Sequence, residues 1–143
     1  MAFTRVKILI KNFLIPSEIA ELKTKNFNVI LMTLFLSYFP CSNPRYTSIR
    51  HAFSILPLEG HLIITEALDN IDDPRMKRFH HKKRQKLTKS WPSAISNFGF
   101  TTIDVTTENN LMISVYQKTA SSLSITNPQV TTDMLNLPTD QKI

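Results

Sequence analysis

The residues whose types could do chemistry are few and unevenly placed. Arg75, Lys77, Arg78, Lys82, Lys83, Arg84, Lys86 and Lys89 form a cationic run with no acid among them, the residue types that neutralise phosphates. Phe79 and Trp91 lie within or beside it, so an RNA-holding reading has both charge and rings for base stacking. Against that, Trp91 falls on an apolar stripe and is expected in the core, and a charge run more often solvates a helix face. His80 and His81 are adjacent, so on a helix they point apart, and no cysteine or close carboxylate completes a metal-ligand set. Asp72 and Asp73 precede Pro74 and read as a loop or cap sequence. No Ser-His-Asp, Cys-His or paired-carboxylate arrangement suggests hydrolysis.

The wider composition bounds what those residues can serve. The chain has 143 residues and 42% hydrophobic content, enough for one domain with a single core. The eight cations of the run exceed the net charge of +6, so the remainder is slightly acidic and basicity belongs to one segment. There are only 2 glycines, and no glycine-rich strand-to-helix turn of the kind that cradles nucleotides. Cys41 has no partner in the chain, which points to a reducing, intracellular compartment. Lys7, Lys11 and Asn12 interrupt the first apolar run, so it lacks a signal-peptide core. No transmembrane segment is read.

The elements that must position any site follow from periodicity. Phe27–Leu31 is an apolar run rich in branched side chains, the pattern of a strand buried on both faces. Ser42 or Asn43 can cap a helix with Pro44 in its first turn. Tyr46, Ile49, Ala52, Phe53 and Leu56 mark one face of that helix, and Pro57 stops it. His61–Thr65 reads as a second doubly buried strand, parallel to the first through a right-handed crossover. An acidic loop follows, with Glu66, Asp69, Asp72 and Asp73, and then the basic segment. Leu87, Trp91, Ala94, Ile95 and Phe98 share a helix face closed by Gly99. Pro92 requires that helix to begin near Ser90 or to kink there. Phe100–Val105 and Leu111–Tyr116 read as an antiparallel hairpin with a five-residue loop over 106–110. From Thr119 onward the composition predicts a flexible tail.

A parallel strand-helix-strand-helix unit closed by an antiparallel hairpin is how class I methyltransferases end. The segments FNVILMTLFLSYFP at 27–40, GHLIIT at 60–65 and KSWPSAISNFGF at 89–100 resemble, more specifically, the family of the S-adenosylmethionine sensor upstream of TOR. That family is related to fungal enzymes that methylate N1 of an adenine in large-subunit ribosomal RNA. The resemblance implies an α/β fold: the C-terminal half of a class I, Rossmann-like, S-adenosylmethionine-dependent methyltransferase, with parallel strands ending in an antiparallel hairpin. It divides the chain into a lead-in at 1–26 without the glycine-rich cofactor motif, a partial methyltransferase-like domain at 27–118 and the tail at 119–143.

The same resemblance implies the ligand and the partners. S-adenosylmethionine is the expected cofactor, with most of its site missing from this chain. Met32, Thr33 and Leu34, at the carboxyl end of the first strand here, would face the cofactor crevice, as in open α/β sheets generally. Ser37 and Tyr38 lie just beyond. Thr33, Leu34 and Ser37 are the cofactor-binding candidates, and no catalytic residue or metal ligand is assigned. Where the family has a Pro-Asp pair after its next strand, this chain has Glu66 and Ala67, leaving Glu66 or Asp69 to stand for that acid. Methyl transfer needs little acid-base apparatus, because the sulfonium is already an activated donor. The implied function is a methyltransferase-like nutrient sensor that binds protein complexes restraining TOR, in the cytoplasm, with this chain a fragment of it. The rivals are a nucleolar ribosomal-RNA adenine-N1 methyltransferase using segment 75–89 on RNA, and an inactive fragment. A half-sheet would also leave the edge of its first strand open and apolar, favouring self-association.

Overall fold

The computed structural model describes residues 11–68 and 77–140. The readings of Lys7, Asp69, Asp72, Asp73 and Arg75, and of the Phe79 side chain, fall outside the described residues. In chain order the elements are α1 (Pro16–Lys23), β1 (Val29–Thr33), a 3₁₀ turn (Leu36–Tyr38), α2 (Ser42–Ile55), β2 (His61–Ala67), α3 (Lys77–Gln85), a π-helical turn (Lys86–Ser90), α4 (Trp91–Asn97), β3 (Phe100–Glu108), β4 (Leu111–Lys118) and α5 (Pro128–Met134). The four strands form one sheet in the order β1-β2-β4-β3. β1 and β2 are parallel, and β4 runs antiparallel to both of its neighbours. Among the described residues no helix is long and apolar enough to cross a membrane.

Local sequence accounts for most of these boundaries. α2 follows the extended Cys41 and carries Pro44 in its first turn, where a missing amide hydrogen costs nothing. It ends because Leu56, the residue before Pro57, is extended at φ −71° and ψ 138°. The conflict posed by Pro92 is resolved by the π turn. There the Trp91 amide bonds back to the Lys86 carbonyl, a five-residue step that resets the helix. Pro92 then falls in the first turn of α4, and Leu87, Trp91, Ala94, Ile95 and Phe98 all become fully buried. Gly99 follows at φ 116°, a conformation that favours glycine.

The hairpin is tighter than its composition suggests. Thr106, Thr107 and Glu108 stay in the ladder opposite Ile113, Met112 and Leu111, so the five-residue loop reduces to Asn109-Asn110. Both asparagines take positive φ, 50° and 60°, which matches the right-handed twist of the flanking strands.

Two expectations need correction. β1 and β2 are not buried on both faces: their burial alternates residue by residue. Met32, Leu62, Ile64, Met112 and Tyr116 share the core with residues of α2 and α4. On the other face Leu31, Ile63 and Val115 lie in one cross-strand row, with Val29 53% and Leu31 62% exposed. An apolar run alone does not say how many helical layers cover it, and among the described residues the layer is single.

Residues 119–140 are not a free tail. Asn127 accepts a hydrogen bond from the Val130 amide and caps α5, while Leu135 and Leu137 enter the core. Polar composition concealed an Asn-Pro helix start and two core leucines.

Candidate functional site

The chain leaves β1 abruptly at its carboxyl end. Leu34 adopts φ 52°, a left-handed conformation that costs a side-chain-bearing residue about 1–2 kcal/mol. Its amide still bonds the Thr65 carbonyl at 2.8 Å, so the parallel ladder closes there and the chain turns out over the ends of β1 and β2. In open α/β sheets this is where ligands sit.

The turn that follows is held by two buried charges of opposite sign. Glu66 is fully buried because the alternation of β2 directs it to the helix-covered face. Its carboxylate accepts the Leu36 amide at 2.9 Å, the Ser37 amide at 3.2 Å and the Ser37 hydroxyl at 2.5 Å. Burial raises its pKa above the usual carboxylate range, against the hydrogen bonds of Ser37 and Leu36 and the charge of Lys83, which lower it. From α2, Arg45 takes the carbonyls of the same turn. Its Nε donates to the Leu36 oxygen at 2.9 Å and its Nη2 to the Phe39 oxygen at 2.6 Å.

Arg45 also ties this turn to the end of the chain. Nη1 donates to the Leu135 carbonyl at 3.1 Å, and Nη1 and Nη2 pair with the Asp140 carboxylate at 2.7 Å each. This bidentate geometry suits a guanidinium and not an ammonium. The guanidinium carbon lies 5.7 Å from the centroid of the Trp91 ring, within range of a cation–π contact.

The candidate ligand-binding residues are therefore adjacent but unequal. Thr33 is exposed, Leu34 is half exposed and Tyr38 is 86% exposed. Ser37 is at the same turn, but its hydroxyl and amide are both committed to Glu66. Met32 points into the core. Glu66 does not present an acid to the crevice; its role is to hold the turn. Neither Glu66 nor Arg45 shows its task in the sequence, because their partners lie 29–30 and up to 95 residues away.

The basic segment is not a uniform solvent face. Lys82, Arg84 and Lys89 are exposed, whereas Lys83 is buried and acts on Glu66. Lys86 is partly buried, which lowers its pKa, while Asp140 and Asp133 act to raise it. Trp91 is 0% exposed and offers no ring for base stacking. Among the described residues no group of three or more His, Cys, Asp or Glu gathers to hold a metal ion.

Comparison with known proteins gives this geometry its context. No protein-family model matches the chain. The chain is 30% identical over 129 residues to the S-adenosylmethionine sensor upstream of mTORC1 from Xenopus laevis, a match covering 88% of this chain and 30% of that protein. The sensor from Xenopus tropicalis is 29% identical over the same length. The chain thus spans about 30% of the length of these relatives. Among solved structures, an O-methyltransferase family protein from Burkholderia thailandensis superposes with a TM-score of 0.58 at 16% identity, over 82% of this chain and 37% of that one. The chain is a relative, over most of its length, of the S-adenosylmethionine sensor upstream of mTORC1, and it carries a methyltransferase-type α/β fold.

Proposed function

We propose that this chain supplies one wall of an S-adenosylmethionine site in a methyltransferase-like sensor, whose cofactor occupancy alters its binding to protein complexes that restrain TOR signalling. The observation that carries the reading is the similarity to the S-adenosylmethionine sensor over 88% of the chain. The crevice is compatible with it. Thr33 presents a hydroxyl without a protein partner among the described residues, and Leu34 and Tyr38 present apolar surface and a ring beside it. Ser37 can donate to a ligand only by releasing Glu66, although its hydroxyl oxygen can still accept, so Thr33 and the exposed Leu34 side chain are the principal contacts.

When bound, S-adenosylmethionine supplies an activated sulfonium methyl group. This chain's residues orient and partly enclose it, with Glu66 and Arg45 fixing the turn that carries them. Glu66, the acid that bonds the turn directly among the described residues, is buried and hydrogen-bonded, so an acceptor needing deprotonation finds no base among the described crevice residues. A sensing role needs none. A sensor must instead bind its partner with different affinity in the presence and absence of cofactor. The ribosomal-RNA adenine-methylating alternative has no comparable support: neither the sensors nor the O-methyltransferase points to it, and of its two candidate stacking rings Trp91 is buried while the Phe79 side chain lies outside the described residues.

Equilibrium dialysis of residues 1–143 with methyl-labelled S-adenosylmethionine tests the site. Saturable binding that S-adenosylhomocysteine displaces and Thr33→Val weakens is expected. No saturable binding up to about 1 mM would leave the chain as a fragment without the site. For the sensing step, capture of TOR-restraining complexes by the chain should change on adding cofactor; unchanged capture would remove that part of the proposal.

A further inference from the structure

A second recess opens at the opposite end of the sheet, at the amino ends of β1 and β2. It has a volume of about 940 Å³ and lies between α1, the second half of α2 and the chain after β4. That volume is at the upper end of the range for small-molecule sites. Its apolar wall includes Ile19, Ile55 and Leu56, and its charged lining is Lys23, Arg50 and Lys118 with no aspartate or glutamate. His51 also lines it, with Nδ1 facing the Phe13 carbonyl at 2.7 Å.

Lys118 meets no acid among the described residues that line the recess. The residue is 8% exposed, and its ammonium donates to the Phe53 and Leu56 carbonyls at 2.7 and 2.8 Å, 4.2 Å from the Phe53 ring centroid. Capping the end of α2 explains that placement. It does not explain why two further cations share the recess. A helix terminus carries roughly half a negative charge, less than the single charge of Lys118, and Lys23 and Arg50 add to the excess. Burial, followed by repulsion from Lys23, lowers the pKa of Lys118, as expected where like charges converge without an acid. An ammonium has three donors, and two are used.

We propose that this recess binds a small amphipathic anion, its carboxylate or phosphate head among Lys23, Arg50 and Lys118 and its apolar body against Ile19, Ile55 and Leu56. This site is separate from the Leu34–Tyr38 crevice and does not depend on the function proposed there. An anion would relieve the convergence of cations, and the apolar wall would favour a ligand with a hydrocarbon portion over inorganic phosphate.

Titration of the full chain with octanoate, octyl phosphate, inorganic phosphate and neutral 1-octanol, followed by amide chemical shifts below micelle-forming concentrations, tests the proposal. At least one octyl anion should bind saturably and shift amides of α1 and of the second half of α2. Tighter binding of octyl phosphate assigns a phosphate head, and tighter octanoate a carboxylate head. Arg50→Glu and Lys23→Glu each reverse a solvent-exposed charge and should weaken binding about tenfold or more. Circular dichroism checks folding, and either variant suffices if the other fails to fold. Saturable octanol binding of equal strength, unchanged affinity in a folded variant, or no saturable binding of either octyl anion would overturn the proposal.

Discussion

Replacing Glu66 tests whether the crevice turn is held as described. Glu66→Ala removes the acceptor for the amides of Leu36 and Ser37. The Leu36 amide is buried with nothing to replace the bond, while the Ser37 amide, at a partly buried residue, can recover some hydration. At about 1–3 kcal/mol for each unsatisfied donor, the expected destabilisation is about 3 kcal/mol. Glu66→Gln keeps an oxygen for both amides and should cost under about 1 kcal/mol. Urea unfolding followed through Trp91, the single tryptophan and fully buried, reads both variants. With a urea slope of about 1–3 kcal/mol per molar, the Ala variant should lose about 1–3 M in midpoint.

The pH dependence adds a signed expectation. Burial raises the pKa of Glu66 in the folded state above its ordinary value of 4.5, so its favourable contribution is fully present below the unfolded pKa. That contribution is lost as pH rises through the folded pKa, because the native state then holds an ionised buried carboxylate. The stability of Glu66→Gln relative to wild type should therefore rise from about pH 4.5 upward. An Ala variant within about 0.5 kcal/mol of wild type, or a Gln difference independent of pH, would refute the assigned role.

Three further outcomes follow from the packing. Asp140→Ala strands the buried Arg45 guanidinium and should cost about 3–5 kcal/mol in urea unfolding; a loss under about 1 kcal/mol would mean that the end of the chain is not anchored as described. Gly99→Ala places a methyl group 2.7 Å from the Ala120 Cβ and 2.9 Å from the Phe53 Cε2, at a φ of 116°; it should cost about 2 kcal/mol or more, read as a lowered melting temperature. Among the described residues no strand pairs with the outer edge of β1. Wild type should therefore self-associate on size-exclusion chromatography and Leu31→Lys should reduce it; a monodisperse wild-type monomer would show that edge to be protected.

What could be read in the sequence was what repeats locally. Tyr46, Ile49, Ala52, Phe53 and Leu56 recur at helical spacing; the structure buries the last four and packs the partly buried Tyr46 against the same core. Leu87, Trp91, Ala94, Ile95 and Phe98 did the same despite Pro92, because apolar spacing survives a π turn that restarts the helix. The parallel pair and the hairpin were legible as an order of elements. What was hidden depended on distant or absent layers. An alternating strand and a doubly buried one look alike when both faces are branched and apolar, as in Val29–Met32. Glu66 looked like a candidate crevice acid, yet the same alternation turned it inward. Thr33, Leu34 and Ser37 were placed near the crevice through the resemblance, but only the structure separates the Thr33 hydroxyl, without a partner among the described residues, from the engaged one of Ser37.

The clamp on the turn also constrains how a cofactor could be reported to a partner. Glu66 holds two amides and Arg45 two carbonyls of Leu36–Phe39, so that backbone is fixed before any ligand arrives. A preorganised turn lowers the entropic cost of binding, but a rigid element has no second arrangement for a ligand to favour. A ligand shifts only equilibria between states it binds differently. Among the described residues, a cofactor-dependent change that leaves the clamp intact involves the exposed side chains of Thr33, Leu34 and Tyr38, or the open face of β1 at Val29 and Leu31. Arg45 offers one further route, because it bonds the turn and Asp140 at once. Displacing Ser37 from Glu66 would disturb only one side of the turn and leave the Arg45 contacts in place, so coupling to the end of the chain requires a ligand that moves the Leu36 or Phe39 carbonyl.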